Sequence, residues 1–319
     1  MKDEKTISNI CVYGIGGVGG YFGGKIAYSL ARLAGETRKV FFVARGQHLE
    51  KIKREGLLLN TSEQQSMVCK PFLATDNLEE VPVPDLCLLC VKSYDLQAAA
   101  FALAKRVGSD TVIIPLLNGV DIYERIREIL HKGTVLPACA YVATHIEGPG
   151  VVTQKGTEGI ILCGKDPKNP SLDPAPIISF FNDMSIRFTW LDDPFPAIWE
   201  KYIFIAAFGL VTAYSGKTLG EVMSDESLKG LVERIMVEIV SIAERKCIQL
   251  HEEIVSMSLD KANRFTFETK TSFQRDMESP GRQNEGDLFG ETIVRMGKLT
   301  GVPTVVTQAI CLKMQHKDI

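Results

Sequence analysis

Along its first half the chain alternates short, nearly continuous apolar runs with stretches where apolar positions return every three or four residues. The runs at 9–13, 39–44, 68–72, 86–91, 111–116 and 135–141 are rich in Val, Ile, Leu and Phe, as strands buried on both faces require. Between them, 18–34, 47–55, 95–107 and 121–131 carry the 3.6-residue period of helices packed on one side. This alternation predicts a parallel sheet with helices on both faces. A more β-like patch follows at Gly150-Val151-Val152 and Gly159-Ile160-Ile161-Leu162, then a loop rich in Pro, Asp, Lys and Asn over 164–175. Past the turn cluster Asp192-Asp193-Pro194 the pattern is helical, over 198–214, 225–247, 252–262 and 284–299. The chain is thus expected to be α/β, with a parallel-sheet domain over 1–192 and an all-helical domain over 193–319.

The junction of the first strand and first helix carries chemistry. Asn9-Ile10-Cys11-Val12-Tyr13 stops at Gly14-x-Gly16-x-x-Gly19, and a helical pattern begins. At this spacing the first glycine permits a tight strand-to-helix turn. The second lets a pyrophosphate approach bare backbone, and the third lets the helix pack close to the strand. The helix N-terminus then offers N–H groups and a positive dipole end to the anion. A Rossmann-type dinucleotide site is the reading; a glycine-rich turn with no ligand is the alternative. Gly17, Gly20, Gly23 and Gly24 suit either, because they also allow close helix packing.

Bulk properties narrow the partners. The 319 residues suit about two domains. A net charge of −3 and a pI near 6.0 provide no basic field for nucleic acid or anionic lipid. The N-terminal MKDEKTISN is charged, unlike a secretion signal, and the longest apolar run, Tyr202 to Tyr214, is too short to span a bilayer. A cytoplasmic chain with no membrane or nucleic-acid partner is expected. The eight cysteines lack disulfide-framework spacing, and Cys87-x-x-Cys90 lies inside an apolar strand with no second pair nearby, so buried thiols are expected. The histidines show no ligand spacing, and no metal is expected. His145 lies before a Gly-Pro-Gly loop without a spaced partner, so direct chemistry is not assigned to it.

The cofactor reading turns on the end of the second strand. NAD-binding versions of this unit place an Asp or Glu there for the ribose 2′-OH. Here Lys39-Val40-Phe41-Phe42-Val43-Ala44 is followed by Arg45. An arginine fork suits a 2′-phosphate, so NADP(H) is favoured over NAD(H). Arg45 lies further from the glycines than the usual gap of roughly 20 residues, and Arg32 to Lys39 reads as a lengthened helix end and turn.

Further segments then speak together: Val91-Lys92-Ser93-Tyr94-Asp95, Leu116-Leu117-Asn118-Gly119-Val120, Trp199-Glu200-Lys201, Thr271-Ser272-Phe273-Gln274-Arg275-Asp276 and Asn284-Glu285. With the opening glycines and Ala44-Arg45-Gly46, their order resembles the ketopantoate reductase family (2-dehydropantoate 2-reductase) over nearly the whole chain. The resemblance implies NADPH-dependent reduction of 2-dehydropantoate to pantoate, a step toward pantothenate, in a cleft between a Rossmann-type domain and a helical one. Gly14, Ile15, Gly16, Gly17, Val18 and Gly19 would hold the pyrophosphate and Arg45 the 2′-phosphate. Lys92 would lie on the cofactor side, and Asn118 would touch both nicotinamide end and substrate. Lys201 would be the catalytic proton donor, Ser272 a substrate contact, and Glu285 the carboxylate beside cofactor and lysine. The partner is a small 2-oxo acid; a homodimer stays open.

Read physically, a ketone reductase must place a hydride donor over the carbonyl carbon, stabilise charge on the oxygen and deliver a proton. A lysine ammonium can do the last two, and Lys201 stands in an otherwise apolar helical stretch, PAIWEKYIFIAAFGL. Each residue also has a plain alternative: a snorkelling lysine for Lys201, an Asn-Gly turn for Asn118, a surface lysine for Lys92, a turn cap for Ser272 and a helix-start carboxylate for Glu285. Their joint order favours the functional reading.

The chain also departs from the family pattern. Where family members carry asparagines four and eight residues after the lysine and near the next turn, this chain has Ile205, Gly209 and Leu219. Those side chains cannot hydrogen-bond a carboxylate or hydroxyl, and such a loss alters discrimination. The stretch between Asp276 and Glu285 is one residue longer, through Ser279-Pro280-Gly281. The preferred 2-oxo acid is therefore open, as are an NADP-linked dehydrogenase of hydroxy acids or imines and a catalytically silent NADP(H) sensor. Arg45→Ala is expected to weaken NADPH far more than NADH, by about 1–3 kcal/mol through lost charge-assisted bonds; equal losses in fluorescence titrations of both cofactors would remove the NADP reading.

Overall fold

The computed structural model describes residues 6–278 and 283–315, so the inserted Ser279-Pro280-Gly281 lies outside the described residues. The chain divides into two compact units, Met1–Leu117 with Ile122–Pro194, and Asn118–Asp121 with Phe195–Ile319.

In the first unit the order is β1 Asn9–Tyr13, α1 Gly17–Leu30, β2 Lys39–Val43, α2 Gly46–Glu55, β3 Leu57–Asn60, β4 Met67–Cys69, β5 Leu73–Thr75, β6 Leu86–Leu89, α3 Ser93–Ala104, β7 Val112–Pro115, α4 Ile122–Arg127, β8 Thr134–Val135, β9 Ala138–Gly148, β10 Val151–Gly164, α5 Ala175–Asp183 and β11 Arg187–Leu191. Six strands form the expected parallel sheet in the order β5-β2-β1-β6-β7-β8. The chain runs from β1 outward to β2 on one side and returns to β6 on the other. The carboxyl end of β1 is therefore the switch point at which such sheets bind ligands.

A second sheet, in the order β11-β10-β3-β4 with β9 antiparallel to β10, goes beyond the expected single parallel sheet. Strand β11 is only partly buried, and so is much of the long β9–β10 hairpin, which leaves their apolar patterns mixed with polar positions. The run expected at 68–72 is split between β4 and β5 at Pro71, whose ring leaves no N–H for a ladder.

Helix α1 packs against both sheets, which explains its glycines. A Cβ at Gly23 would press on Phe42 and Val12 at 3.1 Å, on the parallel-sheet side. A Cβ at Gly20 would strike Val152 at 2.6 Å, and one at Gly24 would meet Leu59 at 3.0 Å, on the other. The glycines noted in the sequence thus serve close packing as well as the turn. Leu30 ends α1, and the extra residues before β2 are a turn. Cys87 and Cys90 lie within the packed core region; a hydrogen bond with Cys11 and then burial raise the Cys87 thiol well above the usual range, and burial raises that of Cys90. The pair is thus held as neutral thiols, unsuited to redox chemistry.

The second unit is helical: α6 Phe195–Ser215, α7 Leu219–Ser224, α8 Glu226–Arg245, α9 Ile254–Ala262, α10 Ser272–Met277, a π-helical turn Asp287–Glu291, α11 Thr292–Thr300 and α12 Val305–Gln315. At 21 residues α6 is longer than the apolar run read from sequence and could cross a membrane by length and composition, which corrects that reading. However, 67% of its most apolar stretch is buried inside the fold. It is apolar around its whole circumference because α8, α10 and α12 surround it. Burying Trp199, Tyr202 and Phe208 contributes about 1.5–3 kcal/mol each. Asp225 caps α8 by accepting from the Ser227 and Leu228 N–H groups at 3.1 and 3.2 Å. Glu238 on α8 caps α12 through the Val306 and Thr307 N–H groups at 2.7 and 3.0 Å.

A Cβ at Gly19 would overlap the Gly14 carbonyl oxygen, whereas one at Gly16 meets nothing within 4 Å. Gly19→Ala is therefore expected to cost at least about 1–3 kcal/mol through overpacking, with Gly16→Ala within about 0.5 kcal/mol of the parent. Calorimetry in which both variants melt alike would contradict this packing.

Candidate active site

The glycine turn is built by strand ends. Tyr13 pairs with Val43 on one side and Leu89 on the other. The Gly14 N–H donates to the Val43 carbonyl at 2.9 Å, and the Cys90 N–H donates to the Tyr13 carbonyl at 2.7 Å. Gly14 has φ +97°, and a Cβ there would strike the Cys90 carbonyl carbon and Val91 nitrogen at 2.8 Å, so only glycine fits. Gly16 caps α1 without a side-chain cap bond, and there is no acid in the first turn. Ile15 is buried and Val18 packs on the core, so both anchor the loop while its backbone stays open. A pyrophosphate fits: the space above Gly16 is clear, and Gly17, Val18 and Gly19 begin a helix whose first N–H groups lack intrahelical acceptors.

Arg45 and Lys92 flank this turn from opposite sides, Arg45 as N-cap of α2 after β2 and Lys92 as N-cap of α3 after β6. The structure adds a residue that the strand-end reading missed. Asp95, in the first turn of α3, accepts two bonds from the Arg45 guanidinium, at 2.6 and 3.4 Å. A carboxylate is thus delivered to the end of β2 by another element, while the position after the strand is held by Arg45. Burial raises the Tyr13 phenol, with Cys11, Cys87 and Asp95 raising it further and Arg45 lowering it, so both partners act on the same strand end. The Asp95 side chain was visible in the Val91–Asp95 segment, but only the fold brings it to Arg45. Nearby, the His48 Nδ1 accepts from the Gly150 N–H at 2.9 Å, and burial lowers its pKa. His145 is exposed on β9.

In the second unit Lys201 and Asn118 meet: the Lys201 Nζ donates to the Asn118 Oδ1 at 2.8 Å, both residues half-buried. Asn118 is thus engaged as an acceptor for the ammonium and not merely as an Asn-Gly turn. The next residue, Tyr202, is buried and donates to the Leu288 carbonyl at 2.6 Å, with the Phe289 carbonyl 3.3 Å away. Those carbonyls belong to the π-helical turn Asp287–Glu291, whose wider winding displaces backbone acceptors from regular partners. Glu285 opens this segment, is 3% exposed, and its carbonyl accepts from the Leu288 N–H at 3.0 Å. Tyr202 therefore ties the Glu285 segment to the helix of Lys201.

Ser272 is exposed at the start of α10. Thr271 caps that helix through the Gln274 N–H at 3.2 Å and shares a 2.8 Å hydroxyl bond with Thr212 on α6. Ile205 is half-buried one turn beyond Lys201. A Cβ at Gly209 would lie 3.6 Å from Phe273, so an aromatic ring flanks the position where an amide was missing. Leu219 is buried. Between Lys201 and Thr212 this side of α6 carries no polar side chain. Among the described residues, no group of three or more His, Cys, Asp and Glu side chains could hold a metal. A cavity of about 430 Å³ borders the C-terminal half of α1, lined by Tyr21, Lys25, Tyr28 and Arg32, and contains none of the residues singled out above.

Chemically, the first unit offers an anion cradle flanked by cations. The second offers an ammonium with three N–H donors, one of them directed to an amide oxygen. Residues 10–168 match the family model described as ketopantoate reductase PanE/ApbA, and residues 195–318 match its C-terminal counterpart. A 2-dehydropantoate 2-reductase of Halobacterium salinarum is 26% identical over 97% of this chain and 99% of its own. An uncharacterized oxidoreductase, YkpB of Bacillus subtilis, is 23% identical over 95% and 97%. The crystal structure of a PanE/ApbA family ketopantoate reductase from Ralstonia eutropha superposes with a TM-score of 0.85 at 25% identity, covering 97% of this chain and 99% of that one. D-mandelate dehydrogenase with NADH and anilino(oxo)acetate shares the fold, with a TM-score of 0.84 at 20% identity over 97% of each chain.

Tyr202→Phe keeps the ring and deletes the hydroxyl, leaving the buried Leu288 carbonyl without this donor. A loss of about 1–3 kcal/mol is expected in chemical denaturation; an unchanged midpoint would show that the tie between α6 and the π-helical turn carries no weight.

Proposed function

The chain belongs to the ketopantoate reductase family and is an oxidoreductase; from that premise we propose that it reduces the keto group of 2-dehydropantoate, or a close 2-oxo acid, with NADPH. The observation that carries this reading is the 2.8 Å bond between Lys201 and Asn118. It fixes a cationic proton donor beside an amide that can both donate and accept. In this reading Gly14 to Gly19 bind the pyrophosphate, Arg45 the 2′-phosphate, and Lys92 and Glu285 flank the cofactor.

When bound, the reduced nicotinamide supplies a hydride to the keto carbon. Lys201 does the complementary work. Its ammonium hydrogen-bonds the keto oxygen, stabilises the negative charge that grows there, and transfers a proton to give the hydroxyl. The neutral amine left behind is reprotonated from solvent. Asn118 holds the ammonium in one rotamer through its Oδ1, which lowers the entropic cost of aiming a long, flexible side chain. Ser272 is assigned to the substrate's polar end.

The apolar side of α6 favours a second reading of the substrate. Ile205 and Gly209 beside Phe273 offer no side-chain hydrogen bond to the hydroxyl of 2-dehydropantoate. They do offer van der Waals contact to a hydrocarbon chain. A 2-oxo acid with an apolar side chain satisfies this wall, and one methylene in such a pocket is worth about 1–3 kcal/mol.

Lys201→Ala is expected to lower kcat by about 10²–10⁴-fold while the variant still binds NADPH; full turnover would end the assignment, and retained NADPH-linked function without turnover in the parent would favour a sensor. Across a panel of 2-oxo acids, the apolar wall predicts higher kcat/KM for hydrocarbon side chains than for 2-dehydropantoate, and a wide margin for 2-dehydropantoate would settle the choice the other way.

A further inference from the structure

The Arg45–Asp95 pair is not explained by cradling a pyrophosphate. The two residues are 50 positions apart in sequence and reach each other from opposite neighbours of β1, Arg45 beyond β2 and Asp95 beyond β6. Their two bonds, at 2.6 and 3.4 Å, occupy the arginine's fork, the same feature that would grip a phosphate. The Arg45 side chain is 76% exposed and that of Asp95 31%. A surface pair of this kind is weak enough for a ligand to break. The carboxylate, however, stays anchored in the first turn of α3, where the helix dipole favours its charge.

Resting on the nicotinamide site proposed above, we infer that Asp95 is a specificity-determining residue that works against the 2′-phosphate and admits NADH beside NADPH. Two consequences follow from one carboxylate. It competes for the guanidinium, so a phosphate must displace it before Arg45 is fully engaged. It also remains close to the phosphate once bound, and two anions sharing one arginine repel. The unphosphorylated cofactor meets neither penalty. Its ribose 2′-OH is a neutral donor, and a carboxylate near the end of the second strand is the group that Rossmann-type sites use to accept from it. Arg45 and Asp95 thus act in opposite directions on the same ribose.

The test is fluorescence titration of NADPH and NADH into the full-length protein and its Arg45→Ala, Asp95→Asn and Asp95→Glu variants, with unfolding temperatures measured in parallel. Asp95→Asn should raise the ratio of NADH to NADPH dissociation constants about tenfold, equivalent to about 1.4 kcal/mol. Asp95→Glu should keep the parental ratio, because it restores the charge. A ratio unchanged in Asp95→Asn, or shifted toward NADH, overturns the inference; the second result would mean that Asp95 positions Arg45 for the phosphate. Failure of the underlying reading looks different: Arg45→Ala would then leave NADPH binding untouched, which removes the 2′-phosphate site and this inference with it. A structural role alone would move the unfolding temperature without moving the ratio.

Discussion

The approach of α1 to the backbone of β1 is the contact on which the rest of the first unit depends. At Gly19 the helix comes so near the Gly14 carbonyl that no side chain fits between them, and Gly14 itself is pressed against the Cys90–Val91 peptide. This closeness brings the start of α1 directly over the end of β1. It also leaves the backbone at Gly16 bare. The same helix must then bury its opposite face, and it does so under Val152 and Leu59 of the second sheet. A helix this poor in side-chain bulk has little intrinsic stability, because each glycine costs about 1 kcal/mol relative to alanine. Packing on both sides compensates, so one run of glycines couples the anion cradle to the core of the unit.

The helical unit solves a different problem: how to hold a charged amine in apolar surroundings. Helix α6 is apolar around its circumference and carries Lys201 near its first turns. The amide oxygen of Asn118 satisfies one donor of that amine. Beside it, Tyr202 anchors the π-helical turn opened by the buried Glu285. Neighbouring positions on one helix thus do opposite things, since Lys201 holds a polar contact and Tyr202 seals backbone into the core. The wide turn costs regular hydrogen bonds, and the tyrosine hydroxyl offsets part of that cost.

In the proposed cofactor site, selectivity would be set by a balance of charge. Strands β2 and β6 lie on either side of β1, so Arg45, beyond β2, and Asp95, beyond β6, meet near the switch point. A cation arrives from one side and an anion from the other. The selectivity of such a site is the difference between two opposed interactions, which makes it more sensitive to a single charge than to the shape of the fold.

Much of this was legible in the amino-acid order, because the relevant signals are local. The alternation of short apolar runs with helical periods specified the parallel sheet, and the Gly14–Gly19 spacing specified the turn after β1. The apolar stretch around Lys201 marked a lysine in need of a reason. The second sheet was less visible: parts of β4, β9 and β10 fall in runs read as β-like, but nothing local says that they leave the parallel sheet, and β11 is only partly buried. The pairings of side chains belong to tertiary structure alone. Lys201 and Asn118 are separated by 83 positions, Arg45 and Asp95 by 50, and no periodicity links residues so far apart. Sequence determined which elements form and where the backbone must lie bare, since steric and hydrophobic rules act over a few residues. Only the folded chain decided which charges meet, since that depends on strand order and on which strand ends become neighbours.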